Sequence, residues 1–203
     1  MLKKMTTLQF IKKSRPKLKC GDVFYYHIDN KFYYGIVLLT QLDPSISEGV
    51  DFTILLSNYH EVNYTDFDLD KFKTKIINRD LIAPPVIINK RAWTQGYFCN
   101  YINIDLSFIK DILNDCRFAY YDELYDVNYK IRNDIPDLKL VGKTGLYGYE
   151  GVEYLIQIGL GLYIDHDEVN FTYRQYRDLE YYIENREIPY WYYNAIGQTK
   201  IIP

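Results

Sequence analysis

The rhythm of hydrophobic and polar positions changes once along this chain, near residue 105. Before that point, short runs dense in β-branched and aromatic side chains alternate with polar breaks. Gly21-Asp22 opens such a run at Val23-Phe24-Tyr25-Tyr26-His27-Ile28, Asp29-Asn30-Lys31 interrupts it, and Phe32 to Leu39 is the second run. Two runs joined by an Asp-Asn turn predict a β-hairpin. Gly35, inside the second run, predicts a bulge or sharp bend of the kind that curls a small sheet toward a barrel. Phe52 to Leu56 predicts a third strand. Pro84 and Pro85 cannot donate to a ladder, so Leu81 to Ile88 is not a central strand throughout. An edge strand, Val86-Ile87-Ile88, entered after the prolines, is expected instead. Trp93 to Ile104 is aromatic-rich and reads as strand or extended chain.

Beyond residue 105 the period lengthens. Ser107 is placed to cap a helix in which Ile109, Ile112, Leu113 and Cys116 share one face. Tyr121, Leu124, Val127 and Ile131 continue that spacing up to a stop at Pro136. Thr172 and Gln175 have capping-box spacing ahead of Tyr176, Leu179 and Ile183. Val152 to Ile158 suits either strand or helix, because short apolar runs do not decide between them. The expected fold class is α+β. A mainly antiparallel, strongly bent sheet fills the N-terminal half, with an SH3-like partial barrel as one form of it, and helices fill the C-terminal half. With no internal repeat or low-complexity linker, one domain over 1–203 is expected. It comprises a basic lead at 1–16, a mainly β part at 17–104 and a helix-rich part with short strands at 105–203.

Composition adds limits. At 203 residues, folding hides roughly 70% of the unfolded chain's surface, enough for an ordinary core. Hydrophobic content of 48% with 25% charged residues excludes a disordered chain. No run approaches the ~20 apolar residues of a membrane span, so no membrane partner is expected. The lysines near the start are not followed by an apolar run of signal-peptide length, and a cytoplasmic protein is expected. Cys20, Cys99 and Cys116 then read as reduced, mostly buried thiols. His27, His60 and His166 are scattered, and no metal site is expected.

Charge is unevenly spread. Lys3, Lys4, Lys12, Lys13, Arg15, Lys17 and Lys19 stand in the first 19 residues without an acid, which reads as a short solvated tail. The rest of the chain keeps 17 of the 24 bases against all 27 acids. Such a body repels nucleic acid and speeds encounter with cationic proteins.

Tests for catalytic chemistry return little. Gly142-Lys143-Thr144 lacks the upstream glycine of a phosphate loop, since position 137 is Asp, and further glycines follow where a helix is needed. Asp165-His166-Asp167-Glu168 is the one acid–base cluster, but consecutive residues on a strand end point in alternating directions. No Ser or Cys sits in a nucleophile elbow or beside a local His. Neither an enzyme nor a cofactor is expected. The aromatics come with carboxylates instead, most plainly in Tyr120-Tyr121-Asp122-Glu123-Leu124-Tyr125-Asp126. That pairing suits a protein surface with tyrosine anchors and a rim selective for cations. Asp122, Glu123 and Asp126 are the candidate acidic face, with Tyr121 and Tyr125 as anchors and Asp165, Asp167 and Glu168 as a second group. The same tyrosines, and Tyr190-Trp191-Tyr192-Tyr193, also read as core packing against the sheet.

Gly21-Asp22-Val23-Phe24, the hairpin with Tyr34-Gly35-Ile36-Val37-Leu38, Ala83-Pro84-Pro85 and Trp93-Thr94-Gln95-Gly96-Tyr97-Phe98 follow one another in this order. In that order they resemble the immunity protein 26 family of bacterial polymorphic-toxin and contact-dependent inhibition systems. The resemblance spans roughly residues 16–100. It implies a cytosolic partner that neutralises a cognate toxin domain, often a nuclease, and no catalytic residues. Within it, Gly21, Asp22, Phe24, Gly35, Pro84, Pro85, Trp93 and Gly96 have structural readings: a tight opening of the first strand, a bend, an edge and core anchors. The alternative is a nucleic-acid-binding or regulatory module with a small β-barrel and a basic lead. Oligomeric state is open.

Overall fold

The computed structural model describes residues 7–45, 49–120, 123–132, 134, 137–160 and 162. Five strands, β1 (Asp22–Ile28), β2 (Lys31–Leu39), β3 (Phe52–Glu61), β4 (Leu81–Ile88) and β5 (Cys99–Asn103), form one sheet in the order β4-β3-β2-β1-β5. Every neighbouring pair is antiparallel. Asp29 and Asn30 both take positive φ, 47° and 61°, giving the left-handed two-residue turn whose twist matches that of paired strands.

The bend expected at Gly35 is present, because the β2–β3 register shifts between Tyr33 and Gly35. A side chain there would strike the ring of Phe24 and stand 2.8 Å from the Leu55 carbonyl. Gly35 thus leaves room for Phe24, which stacks on Phe98 at 4.8 Å and meets Trp93 edge-on at 5.1 Å.

Three sequence expectations in this half are corrected. β4 is an edge strand of the five-stranded sheet, but it runs through the prolines rather than starting after them. Ile54 pairs Val86 and Leu56 pairs Ala83, so Leu55 alone opposes Pro84 and Pro85 in a bulge that asks neither proline for a hydrogen bond. Trp93 is not on a strand: it lies on a short helix that precedes β5. Nor is the basic lead a solvated tail over residues 7–19. Leu8 and Leu18 are buried, Gln9 bridges His27, and the Ile11 and Lys12 N–H groups donate to the Gly96 carbonyl.

Among the described residues four helices complete the layers: α1 (Leu69–Ile77), α2 (Arg91–Thr94), α3 (Lys110–Asp115) and α4 (Tyr149–Gly159). Asp68 caps α1 by accepting the Asp70 and Lys71 N–H groups. The helix expected from Ser107 is a 3-10 turn over Ser107–Ile109 leading into α3. Ile109, Ile112 and Cys116 are buried as that spacing required. Ser107 is not its cap; its own N–H donates to Asp105 at 3.2 Å. Val152 to Ile158 resolves as helix, inside α4.

The expected helix through Tyr121, Leu124, Val127 and Ile131 is overturned. β6 (Arg117–Tyr120) and β7 (Glu123–Tyr125) form an antiparallel hairpin there, and β8 (Val141–Lys143) joins β6 in parallel. Leu124 faces Ala119 across the ladder, and Asp126 turns the chain immediately afterwards. A few apolar residues at helical spacing did not outweigh cross-strand pairing of aromatic residues. The helix expected near 172–183 and the run 190–193 lie outside the described residues.

Each face of the large sheet has its own core. Phe24, Tyr26, Ile28 and Val37 pack with the lead, Trp93, Phe98 and the α4 residues Val152, Leu155 and Ile156. On the other face Tyr25, Tyr34, Ile36 and Leu55 pack with Phe72 and Ile76 of α1, Ile109, Ile112, Phe118 and Leu140. No described helix is long and apolar enough to cross a membrane.

Candidate functional site

At one end of the second face, the cover changes from helices to exposed tyrosines. Tyr25 of β1 is paired with Tyr34 of β2 and Cys99 of β5, so these three share a face across three strands. Tyr64 stacks on Tyr25 with centroids 5.0 Å apart and planes 10° from parallel, and Tyr101 meets Tyr25 edge-on at 6.1 Å. Phe32 touches both Tyr25 and Tyr64, and Phe67 touches Tyr34 and Tyr101. Tyr64 and Tyr101 remain 43% and 40% exposed.

A bulge enlarges this platform. Val23 pairs Ile102 and Phe24 pairs Asn100, which leaves Tyr101 unopposed. The skip puts Ile102, 45% exposed, opposite Val23, on the same face of the sheet as Tyr25 and Tyr101, where strict alternation would have sent one of the neighbouring residues to the other side.

The loop carrying Tyr64 is held at three points. The Tyr34 hydroxyl donates to the Tyr64 carbonyl at 3.0 Å. The Tyr59 hydroxyl donates to Glu61 Oε1 at 2.6 Å and accepts the Asp68 N–H at 2.7 Å, tying the two ends of the loop together. A loop ordered before association loses less conformational freedom on binding. From the end of β3 through the loop into α1 stand Glu61, Asp66, Asp68 and Asp70, with no base until Lys71, which pairs with Asp68 at 3.5 Å. Backbone hydrogen bonds, first that from Lys71, hold the Asp68 carboxyl below its ordinary range. Burial raises the phenols beneath: Tyr25, with help from a side-chain hydrogen bond to Cys99, and Tyr34 and Tyr59. The platform is therefore neutral and apolar at its centre and negatively charged along one border. It can bury a flat apolar contact while selecting a cationic neighbour.

The residues nominated from sequence are placed differently. Tyr121, Asp122, Asp165, Asp167 and Glu168 lie outside the described residues. Glu123 accepts the Tyr125 hydroxyl at 2.6 Å, and that bond, ahead of burial, pushes the Tyr125 phenol up to about 12. Tyr125 stacks on Tyr129 at 4.9 Å. Asp126 is buried and accepts the Asn128 and Lys130 N–H groups, with Arg132 at 3.6 Å. Its carboxylate organises a turn and is not part of an open acidic face. The acid–aromatic alternation from Glu61 to Asp70 is a sequence signal of the same kind as the nominated one. What sequence does not display is the bulge and the strand order that put Tyr101 and Ile102 beside it.

The residues quoted for the family resemblance have structural duties. The Gly21 N–H donates to the Val37 carbonyl, and the Gly21 carbonyl accepts from Ile104. Asp22 accepts the Lys19 N–H and both the Asn100 and Asn103 side-chain amides, while Asn100 accepts the Trp93 indole N–H at 2.7 Å. Gly96, at φ 91°, brings its backbone against Phe10 and Lys13 of the lead. Among the described residues no three His, Cys, Asp or Glu side chains are grouped as metal ligands. Compared with protein-family models, curated proteins and solved structures, the chain matches none.

Proposed function

We propose that this chain is an immunity-type inhibitor, a cytoplasmic protein that binds a cationic toxin domain of nuclease class and occludes its functional surface. The observation that carries this reading is the ordered aromatic platform of Tyr64, Tyr101 and Ile102 over Tyr25, bordered by Glu61, Asp66, Asp68 and Asp70. Tyrosines in a packed, water-excluding patch are the residue type that dominates association energies, and a carboxylate border speeds encounter with a basic cleft. The resemblance of the Gly21 to Phe98 motifs to the immunity protein 26 family supports the same reading.

The test is co-expression with the toxic C-terminal domain encoded directly upstream of this chain's gene. Rescue of growth with a complex of nanomolar affinity by calorimetry is expected. Tyr64→Ala and Tyr101→Ala should each weaken that complex by roughly 30-fold, the factor of a 2 kcal/mol anchor. Two folded proteins with neither rescue nor a complex would overturn the reading.

A further inference from the structure

The lead is anchored in both cores: Leu8 and Leu18 join that of Phe24 and Trp93, and Ile11 packs against that of Tyr25 and Tyr34. Its residues alternate. Lys13, Arg15, Lys17 and Lys19 are exposed, while Ser14, Pro16 and Leu18 between them are half-buried or buried. Exposure thus alternates with burial along the lead from Lys13 to Lys19. The result is a row of four cations with Lys12 beside it and no acid from residue 7 to residue 19.

Backbone hydrogen bonds fasten the row to the helix-to-strand connection after α2, from Ile11 and Lys12 to Gly96 and from Ser14 to Trp93. Lys13, Ser14, Arg15, Thr94 and Gln95 line an open depression of about 500 Å³. Ser14 Oγ is buried there without a hydrogen-bond partner. Phe10 lies over Gly96 and is 62% exposed, an aromatic face turned to solvent at the end of the cation row.

We propose that this strip binds single-stranded nucleic acid. A run of exposed cations follows a phosphodiester backbone, an exposed ring stacks a base, the Gln95 amide offers a donor and an acceptor to a base edge, and the Thr94 hydroxyl, which donates to the Arg91 carbonyl, offers an acceptor. An acidic peptide would use the cations but has no need of Phe10. The exposed aromatic ring beside the cations favours the nucleic acid.

The experiment is fluorescence anisotropy of the full chain with labelled ten-nucleotide oligo-U and oligo-dT across a salt series. Binding should weaken with salt by a log–log slope of about −0.7 per phosphate contacted. Lys13→Gln/Arg15→Gln should flatten that slope by about 1.4, and Phe10→Ala should weaken binding about fivefold or more at every salt with the slope unchanged. Tyr64→Ala, in the aromatic platform, should leave it unaltered, so this strip and the inhibitor surface fail or succeed separately. No binding at low salt overturns the proposal. So does equal competition by polyglutamate, a result read on the unmodified chain, and so does a folded Phe10→Ala variant that binds as tightly as the parent.

Discussion

Asp22 accepts three hydrogen bonds with one buried carboxylate and through Asn100 also fixes the Trp93 indole. Asp22→Ala would leave the Lys19 N–H and the Asn100 amide without that partner, while the Asn103 amide keeps the Cys20 carbonyl, and a loss of roughly 2 kcal/mol or more is expected in urea unfolding. Tyrosine protonation tells a related story. Burial raises the phenols of Tyr25, Tyr26, Tyr33, Tyr34 and Tyr59 in the folded chain. The unfolded chain ionises them near pH 10. Their contribution to stability is therefore whole below about pH 10 and is lost as pH rises beyond it. The urea midpoint should fall steadily above that pH, and a midpoint constant up to pH 12 would contradict the burial. The thiols divide as well, since Cys20 is exposed whereas burial pushes Cys116 up to about 12. A thiol reagent at pH 8 should label Cys20 at once and Cys116 only after denaturation.

At the scale of elements, the β1–β2 hairpin was legible because Asp29-Asn30 names its own turn chemistry and the runs on either side are unambiguous. The edge position of β4 was legible from Pro84 and Pro85, but its full length was not, because the bulge opposite Leu55 depends on another strand. Between β3 and β4, Asp68 followed by Phe72 and Ile76 marks a capped amphipathic helix, a signal carried by only two buried positions. The β6–β7 hairpin reads as helix by spacing alone, since the pairing of Leu124 with Ala119 is a contact between strands that no local period encodes. The candidate site failed to show for the same reason: Tyr25, Tyr64 and Tyr101 are far apart in sequence and meet only through strand order. Its local half depends on the start of α1. Asp68→Ala should lower the urea midpoint, and hydrogen exchange should quicken over residues 61–72 more than elsewhere.

Over the whole molecule, acidic and basic surfaces are built on different segments. The aromatic platform and its carboxylates stand over the core of Tyr25 and Tyr34, and the lead that carries the cations is anchored in both cores, through Leu8 and Leu18 in one and Ile11 in the other. Because the lead is built into the fold, its removal is not the loss of an appendage. Glu153, buried in α4, accepts the Thr7 and Leu8 N–H groups and the Thr7 hydroxyl. Deleting residues 1–19 would strip those bonds together with buried Leu8 and Leu18, and a loss on the order of 4 kcal/mol or more is expected by denaturant unfolding. An unchanged midpoint would mean the lead packs without stabilising.

The most direct test of the proposed docking surface is its association rate with the toxin domain proposed as its partner, measured by stopped flow across a salt series. Glu61→Lys, Asp66→Lys and Asp70→Lys are introduced together into the full chain, with melting temperature as the check on folding. The account predicts an on-rate reduced about tenfold or more at low salt, with a flatter salt dependence than the parent. An on-rate and salt dependence identical to those of the parent, in a variant that melts normally, would contradict it.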